Sequence, residues 1–151
     1  MMRAKKGQFI MGAISLLSNE FNGFGDNLIK GLTYKQWFLL MMISRMRKKG
    51  CNLNAIADFA GTTRQNVKKM LIQLEKNGYV TVKKSGEDAR SLSVELTRKA
   101  YNFLKTNDER IAIATEKLFS PLGDEEMDAL TMLLKKTMYC IENYSDKHVS
   151  D

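Results

Sequence analysis

Residues 53–78, LNAIADFAGTTRQNVKKMLIQLEKNG, contain two short amphipathic segments separated by a tight turn, and they decide the fold. Asn54 can cap the first segment as a helix, and Gly61 can end that helix by adopting a positive φ. Thr62 or Thr63 can then cap a second helix that continues to the end of the stretch. The spacing therefore predicts two helices joined by a short turn.

The second of these helices has one apolar and one polar side. Val67, Met70, Leu71 and Leu74 recur at the i, i+3, i+4 and i+7 spacing that is typical of a buried stripe. At about 100° per residue, the opposite side holds long polar and basic residues. These residues are Thr62, Gln65, Lys69 and Lys76, flanked by Asn66, Lys68 and Gln73. Such side chains can read base edges when a helix enters the major groove of DNA.

After Gly78 the apolar period changes from helical spacing to alternation. Residues 79–83 and 91–96 alternate as two half-buried strands, and residues 85–88 supply the turn between them. The tip of this hairpin is basic, with Lys83, Lys84 and Arg90. Helix, turn, helix and basic hairpin in this order predict a winged helix-turn-helix, in which the hairpin grips DNA beside the recognition helix.

Two further helices are predicted before this unit. Apolar residues at three- and four-residue spacing predict a first helix over residues 8–21, which ends in a glycine-rich loop between Gly23 and Gly31. Thr33 and Gln36 then have the form of a capping box ahead of an apolar run at residues 37–43. This second helix is apolar nearly all round, and we expect it to be central.

Two more helices are predicted after the hairpin. Thr97 can cap a long helix that is broken by Pro121, and the acidic residues that begin at Asp124 open a last helix. The predicted fold class is therefore mainly α with a small antiparallel β-hairpin. No linker or internal repeat marks a second domain, so residues 1–151 are predicted to form a single domain.

The net charge of the chain is concentrated in the predicted DNA-binding segment. The 151 residues include 24 Lys and Arg against 17 Asp and Glu, which gives a formal charge of +7. Residues 45–90 hold eleven basic and four acidic residues, whereas the rest of the chain has equal numbers of each. A positive field of this kind favours polyanions such as nucleic acid.

Several classes of protein do not fit the sequence. The longest uncharged run, residues 7–19, is shorter than the roughly 20 apolar residues of a transmembrane helix, so no membrane association is expected. Basic residues precede the apolar run at residues 9–17, as in a secretory signal, but no small-x-small cleavage site follows. Cys51 and Cys140 are far apart in sequence and belong to no CxxC or His-Cys motif, so neither a disulfide framework nor a metal site is expected. Such cysteine usage fits a protein of the reducing cytoplasm.

No pattern in the sequence predicts an enzyme or a cofactor. Ser-His-Asp, paired-carboxylate, zinc and phosphate-loop motifs are missing, and the single histidine, His148, lies in a predicted polar tail. We therefore expect no catalytic residues, no metal and no cofactor.

The chain resembles the MarR family of dimeric bacterial transcriptional regulators over about Leu32 to Tyr144. The resemblance rests first on Leu32-Thr33 with Gln36, and on the segments at residues 66–67 and 74–80. Its most specific part is the wing run Asp88-Ala89-Arg90-Ser91, followed by Leu96-Thr97. The wing is short, because it lacks a run of extra arginines between Asp88 and Leu92.

The resemblance implies roles for individual residues. The recognition helix would read the major groove, while Arg90 would enter the minor groove with Asp88 steadying it. The DNA-contacting residues expected on these grounds are Thr62, Arg64, Gln65, Asn66, Lys68, Lys69, Lys83, Lys84, Asp88 and Arg90. Residues 33–97 would form the DNA-binding part of the single domain, and residues 6–22 and 98–145 the dimerisation helices.

The resemblance also implies partners. A homodimer would place two recognition helices about one DNA turn apart, roughly 34 Å, on a pseudo-palindromic operator of double-stranded DNA. Members of the family often bind small phenolic or anionic molecules, and Phe9, Trp37 and Phe38 are candidate lining residues for such an effector pocket. Core packing explains these aromatic residues equally well.

The function predicted from the sequence is that of a transcriptional regulator, most simply a repressor. One alternative is a winged-helix module that binds protein and does not read DNA. Another is a redox-responsive regulator, because Cys51 follows Arg47, Lys48 and Lys49, which can lower the pKa of a thiol. An inert thiol is the simpler interpretation of Cys51.

Overall fold

A computed structural model describes residues 1–46, 51–84 and 92–148 of the chain, with side chains as far as residue 144. The chain divides into two compact units, one over residues 1–111 and one from residue 112 onward. The elements, in chain order, are α1 (Met2–Leu28), α2 (Tyr34–Arg45), β1 (Cys51–Asn52), α3 (Leu53–Ala60), α4 (Arg64–Lys76), β2 (Val80–Lys84), β3 (Leu92–Leu96), α5 (Arg98–Phe119) and α6 (Asp124–His148). This order confirms the mainly helical winged-helix fold.

The sheet has one strand more than the hairpin that the sequence predicts. Its strands are antiparallel and run in the order β1-β3-β2, so β3 is central. Val94 of β3 lies opposite Cys51 of β1 on one side and Val82 of β2 on the other. The strand β1 is only two residues long, which is too short for an alternating pattern to reveal it.

The hydrophobic core of the first unit is formed by α2, α3 and α4 together with the sheet. Leu40, Ile56, Val67 and Leu74 are each 0% exposed, and Val94 of β3 is 1% exposed. The apolar stripe predicted on the second helix of the helix-turn-helix is therefore confirmed for Val67, Leu71 and Leu74.

The start of α2 confirms the predicted capping box. The backbone N–H of Gln36 donates to Thr33 Oγ1 at 3.2 Å, and the backbone N–H of Thr33 donates to Gln36 Oε1 at 3.1 Å. These two bonds satisfy donors that a helix N-terminus otherwise leaves without partners. The helix is central, as expected, since Trp37, Leu39, Leu40 and Ile43 are buried.

The prediction that Asn54 caps α3 is wrong, because the cap is Asn52. The Oδ1 of Asn52 accepts a hydrogen bond from the Ala55 backbone N–H at 2.8 Å. Asn52 is the last residue of β1 and has the extended backbone that an N-cap requires, whereas Asn54 already lies in the first helical turn. Gly61 ends α3 with φ of 61°, as predicted.

The helix α1 continues past the glycines that were expected to end it. The predicted end at residue 21 and the loop from Gly23 are wrong, since the helix runs to Leu28 and the turn follows it, with Gly31 at φ of 94°. Gly25 is buried directly against the Tyr34 ring, and a Cβ at that position would overlap the ring. Packing of α1 on α2 thus offsets the poor helix propensity of glycine.

A hydrogen bond strengthens this contact between α1 and α2. The Oδ1 of Asp26 accepts from the Tyr34 backbone N–H at 2.6 Å, at the first residue of α2. The Nη1 of Arg110 also donates to the Leu28 carbonyl oxygen at 3.2 Å, which is a favourable position for a cation at a helix C-terminus. The C-terminal end of α1 is therefore bound to both α2 and α5.

The second unit contains the end of α5 and all of α6. The predicted break at Pro121 is confirmed, because α5 ends at Phe119 and α6 begins at Asp124. Glu126 closes the first turn of α6 by accepting from the Gly123 backbone N–H at 2.9 Å. The helix α6 extends through His148, which corrects the prediction that this histidine follows the last helix.

A pair of glycine substitutions tests the contact between α1 and α2. We expect Gly25→Ala to lower the free energy of unfolding by about 1–3 kcal/mol, because the new Cβ overlaps the Tyr34 ring. Gly23→Ala is the matched control, since no atom lies within 4 Å of an added Cβ there. It should raise the same quantity by about 0.5–1 kcal/mol through helix propensity. Urea unfolding followed by circular dichroism measures both, and equal effects would contradict the packing described for Gly25.

Candidate nucleic-acid interface

The turn between α3 and α4 places α4 firmly on the core. The Thr62 backbone N–H donates to the Ala57 carbonyl oxygen at 3.0 Å, closing the turn behind Gly61. Thr63 is the cap of α4, and its Oγ1 accepts from the Asn66 backbone N–H at 3.2 Å. Of the two threonines predicted as possible caps, Thr63 therefore has that role.

The residues predicted to contact DNA from this helix lie together on its outward side. Arg64, Gln65, Asn66, Lys68 and Lys69 are exposed, whereas Thr62 in the preceding turn is half-buried. The buried stripe of α4 faces the core, so Gln65 and Lys69 project from the opposite side, with Asn66 and Lys68 on its edges. Arg64 precedes the buried Leu71 by two turns and is exposed at the start of the helix. The structure thus brings the predicted set together on one surface.

The cations on this surface are available to bind an anion. Within residues 51–84 and 92–144, no acidic side chain forms an ion pair with Arg64, Lys68 or Lys69. The Asn66 side-chain amide lies 3.5 Å from the Thr62 hydroxyl, a long and weak contact. Binding to a polyanion would therefore not require these three cations to give up an ion pair with that part of the chain.

Ile72 is a member of this surface that the sequence analysis missed. It is 56% exposed on α4, between the outward positions of Lys69 and Lys76. Its position at about 100° per residue could have been calculated from the sequence, but an exposed isoleucine carries no polar signal. An aliphatic side chain at this place can contact the methyl group of thymine.

The wing, the hairpin of β2 and β3, contributes two lysines in its described part, and one of them forms an ion pair. Both Lys83 and Lys84 are exposed near the end of β2. Lys83 Nζ lies 3.3 Å from Glu95 Oε2 on β3, in a diagonal cross-strand pair that the sequence analysis did not identify. Asp88 and Arg90, the two wing residues implied by the family resemblance, lie outside the described residues.

A cluster of hydrogen bonds joins the end of α4 to the base of the wing. The Oγ1 of Thr97 donates to the carbonyl oxygens of Gly78 and Tyr79, at 2.7 and 3.1 Å. Lys99 Nζ donates to the Asn77 carbonyl oxygen at 2.7 Å and lies 4.6 Å from the centre of the Tyr79 ring. Thr97 also caps α5, as predicted, by accepting from the Ala100 backbone N–H.

A cavity of about 710 Å³ lies beside α4 in the first unit. Its walls come from α1, α2, the end of α3 and α4. The lining residues are Ser18, Phe21, Asn22, Tyr34, Lys35, Phe38, Leu39, Ala60, Gly61, Thr62, Asn66, Lys69 and Met70. Thr62, Asn66 and Lys69 therefore belong both to the cavity and to the predicted DNA surface.

The three aromatic residues predicted to line an effector pocket have different positions. Phe38 lines the cavity, whereas Phe9 is 75% exposed on α1 and Trp37 is 7% exposed in the core. Tyr34 and Lys35 line the cavity and were missed, because local patterns do not show which loops and helices meet. Burial raises the pKa of the Tyr34 phenol above its ordinary value of 10.0, so the group is a neutral hydrogen-bonding partner at neutral pH.

Other kinds of site are not found in the described part of the chain. Among its His, Cys, Asp and Glu residues, no group of three or more is placed to hold a metal ion. None of its helices combines the length and the apolar character needed to cross a membrane. Cys51, the candidate redox residue, is 5% exposed on β1.

Comparison with known proteins shows a similarity to one family of regulators. The MarR family profile matches residues 30–91, from the turn before α2 to the residue before β3, which is less than half of the 151-residue chain. The chain is 23% identical over 109 residues to the transcriptional repressor MprA of Escherichia coli, covering 72% of this chain and 62% of that protein. The chain thus matches less than two thirds of the length of that relative.

Solved structures agree with this match. A MarR protein from Peptoclostridium difficile has a TM-score of 0.75 and 26% identity, covering 91% of this chain and 90% of that one. The fold is also that of Staphylococcus aureus MepR, solved as a DNA complex, with a TM-score of 0.77, 20% identity, and coverage of 85% and 95%. The chain is thus similar to the MarR family in residues 30–91 and has the fold of solved MarR-family structures.

Proposed function

We propose that the chain is a non-catalytic transcriptional regulator that binds double-stranded DNA in a sequence-specific way. The observation that carries the proposal is the outward surface of α4, whose exposed cations and amides lie on the side away from the buried Val67, Leu71 and Leu74. A helix with these two sides fits the major groove and stays attached to its domain. Such a protein would act in the cytoplasm, where chromosomal DNA is found in bacteria.

The surface contains residues suited to two kinds of contact. Arg64, Gln65 and Asn66 lie in the first turn of α4, and their side chains can form paired hydrogen bonds with guanine or adenine. Lys68 and Lys69, one turn further, suit contacts with phosphates, as do Lys83 and Lys84 of the wing. We propose that Arg90, steadied by Asp88, adds the minor-groove contact implied by the family resemblance.

We further propose that the protein acts as a homodimer on a pseudo-palindromic operator. Apolar side chains of α1 are exposed in the single chain, with Phe9 at 75%, Met11 at 71% and Leu16 at 68%. On α6, Met138 is 62% and Ile141 is 61% exposed. A second copy of the chain would cover such helices.

Occupation of an operator by the dimer would exclude other proteins from a promoter, and this favours a repressor over an activator.

The cavity supports a response to a small molecule. Phe21, Tyr34 and Phe38 supply aromatic surface, while Lys35 and Lys69 supply positive charge. These groups together suit a small aromatic anion. Because Lys69 also belongs to the DNA surface, an occupant of the cavity would compete with phosphate for the same ammonium group. This contact gives a small molecule a direct means of weakening DNA binding.

The two alternatives are less well supported. A redox response through Cys51 needs an accessible thiol, but this side chain is 5% exposed in the strand β1. A module that binds only protein could use such cations for an acidic partner, but the amide side chains of Gln65 and Asn66 in the first turn of α4 are suited to reading base edges. If the protein does not bind DNA even at low salt, the protein-binding module is favoured.

Binding of the purified protein to a duplex tests the main proposal. We expect the logarithm of the association constant to fall linearly with the logarithm of salt, with a slope of about −0.9 per phosphate contacted. Lys69→Ala should weaken binding to all sequences and reduce the slope by about one contact. Gln65→Ala should instead reduce discrimination between operator and scrambled DNA, by about 1–3 kcal/mol.

The control for both variants is Lys105→Ala, which removes an exposed lysine from α5. It should leave affinity and discrimination close to those of the unaltered protein. An operator for the assay is obtained by sequencing the DNA that the protein selects from genomic fragments. Equal losses on every sequence from Gln65→Ala and Lys69→Ala would contradict the division into base and phosphate contacts.

Sedimentation at micromolar concentration tests the homodimer. We expect a single species with twice the mass of one chain, because the apolar side chains of α1 and α6 would otherwise face water. Phe9→Glu should shift the population toward single chains, since it places a charge in the proposed interface. Asn19→Glu is the matched control, because Asn19 is an exposed polar residue of the same helix, and it should leave the dimer intact. A monomer at all concentrations would contradict the dimer.

Fluorescence of Trp37, the one tryptophan of the chain, tests the cavity. The centre of its indole ring lies 5.4 Å from the centre of the Tyr34 ring, which lines the cavity. An occupant of the cavity should therefore change the emission of Trp37. We expect saturable binding of benzoate and weaker binding of the neutral benzamide. Phe38→Ala should weaken benzoate binding about two- to tenfold. Phe59→Ala, a phenylalanine outside the cavity, is the control, and a linear response to benzoate would contradict the proposed site.

A further inference from the structure

The strand β2 is at the edge of the sheet, with no second neighbour among the strands in residues 1–46, 51–84 and 92–148. The sheet order places β3 on its other side. The Thr97 backbone N–H donates to the Tyr79 carbonyl oxygen at 3.0 Å, which sets the alternation of hydrogen bonds along the pair. By that alternation, Thr81 and Lys83 point their backbone N–H groups toward β3, and Val82 points its own away. An edge N–H of this kind usually faces water.

Glu75 supplies the acceptor that the edge of the sheet lacks. Its Oε1 accepts a hydrogen bond from the Val82 backbone N–H at 2.8 Å. Glu75 lies in the last turn of α4, and Val82 lies in the middle of β2, which ends at Lys84. A hydrogen bond to a carboxylate is stronger than one between neutral groups. One side chain of the recognition helix thus binds the backbone of the wing directly.

The contact reaches further along the wing than the other bonds at its base. Thr97 and Lys99 bind carbonyl groups at residues 77–79, where the chain leaves α4. These bonds fix the point from which β2 starts. Glu75 adds a second fixed point, three residues beyond Tyr79, and two points are needed to fix the direction of a strand relative to a helix.

We propose that Glu75 is a positioning residue that sets the direction of the wing relative to the recognition helix. Its role is to present Lys84 and the cations of α4 to the same duplex at the same time. This inference rests on the proposed DNA binding. It adds to it an acidic residue, Glu75, whose presence raises the affinity of the protein for DNA in spite of its negative charge.

The sign of the effect separates this role from simple electrostatics. If Glu75 acted only through its charge, its removal would relieve repulsion of phosphates, and both Glu75→Ala and Glu75→Gln would tighten binding. If Glu75 positions the wing, Glu75→Ala should weaken operator binding about two- to tenfold, in spite of the lost negative charge. Glu75→Gln retains an acceptor oxygen and should retain most of the affinity. Asp58→Ala, which removes an exposed acid from α3, is the charge-matched control and should not weaken binding.

A double-mutant cycle shows whether the effect passes through the wing. In a Lys84→Ala background the loss caused by Glu75→Ala should shrink, because the wing lysine that Glu75 positions is already missing. In a Lys68→Ala background the loss should remain complete, because Lys68 lies on α4 itself. Equal losses in the two backgrounds, or tighter binding by Glu75→Ala, would overturn the proposal.

Hydrogen exchange of the Val82 amide gives a readout that does not depend on DNA. Its protection should fall in Glu75→Ala and persist in Glu75→Gln, while the amides of the buried stripe stay protected in both. Unchanged protection at Val82 would overturn the contact itself.

If the unaltered protein does not bind DNA, the proposed function fails and this inference fails with it. If it binds and Glu75→Ala binds equally well, this inference alone is wrong.

Discussion

Val67, Leu71 and Leu74 pack side by side into the core of the first unit, and none of them is more than 3% exposed. Burial of side chains of this size stabilises the fold by about 1.5–3 kcal/mol each. Rotation of α4 about its own axis would bring these groups into water and bury lysines in their place. The hydrophobic core thereby determines which residues of α4 face outward, and the exposed cations need no contact of their own to stay there.

A second set of contacts determines where the wing lies, and it consists of hydrogen bonds. Thr97 has two roles in this set, because its hydroxyl caps α5 and also donates to the end of the α4 connection. Lys99 donates a hydrogen bond to the Asn77 carbonyl oxygen at the same point and packs on the ring of Tyr79. That ring meets the ring of Phe103 edge to face, with 5.2 Å between the ring centres. Polar groups at the rim and apolar groups beneath them thus attach the wing to both α4 and α5.

Most features of the fold that depend on neighbouring residues were predictable from the sequence, and the cap of α3 is an exception because Asn52 and Asn54 are both suitable cap residues. The capping box of Thr33 and Gln36 and the cap at Thr97 involve side chains within three residues of the backbone groups they serve. The positive φ of Gly61 follows from the absence of a Cβ at that residue. Features that depend on distant parts of the chain were not predictable. The helix α1 passes through Gly25 because Tyr34 packs there, and β1 exists because Val94 lies opposite Cys51.

The same distinction applies to the candidate site. The outward residues of α4 follow from helical periodicity alone, and the structure brings them to one surface. The cavity is different, because Lys35 and Tyr34 reach it only through the packing of α2 beside α4. The bond from Val82 to Glu75 likewise joins a helix end to a strand centre, and no local pattern marks Glu75 among the other exposed acids.

The position of Lys69, on the wall of the cavity and on the outward surface of α4, has a thermodynamic consequence. Linkage requires that an occupant which lowers the affinity for DNA by some factor is itself bound more weakly, by the same factor, when DNA is present. A chromosome offers a very large number of nonspecific sites, so the protein in a cell would rarely be without DNA. The concentration at which a small molecule acts would then be set by the amount of chromosomal DNA as well as by the chemistry of the cavity.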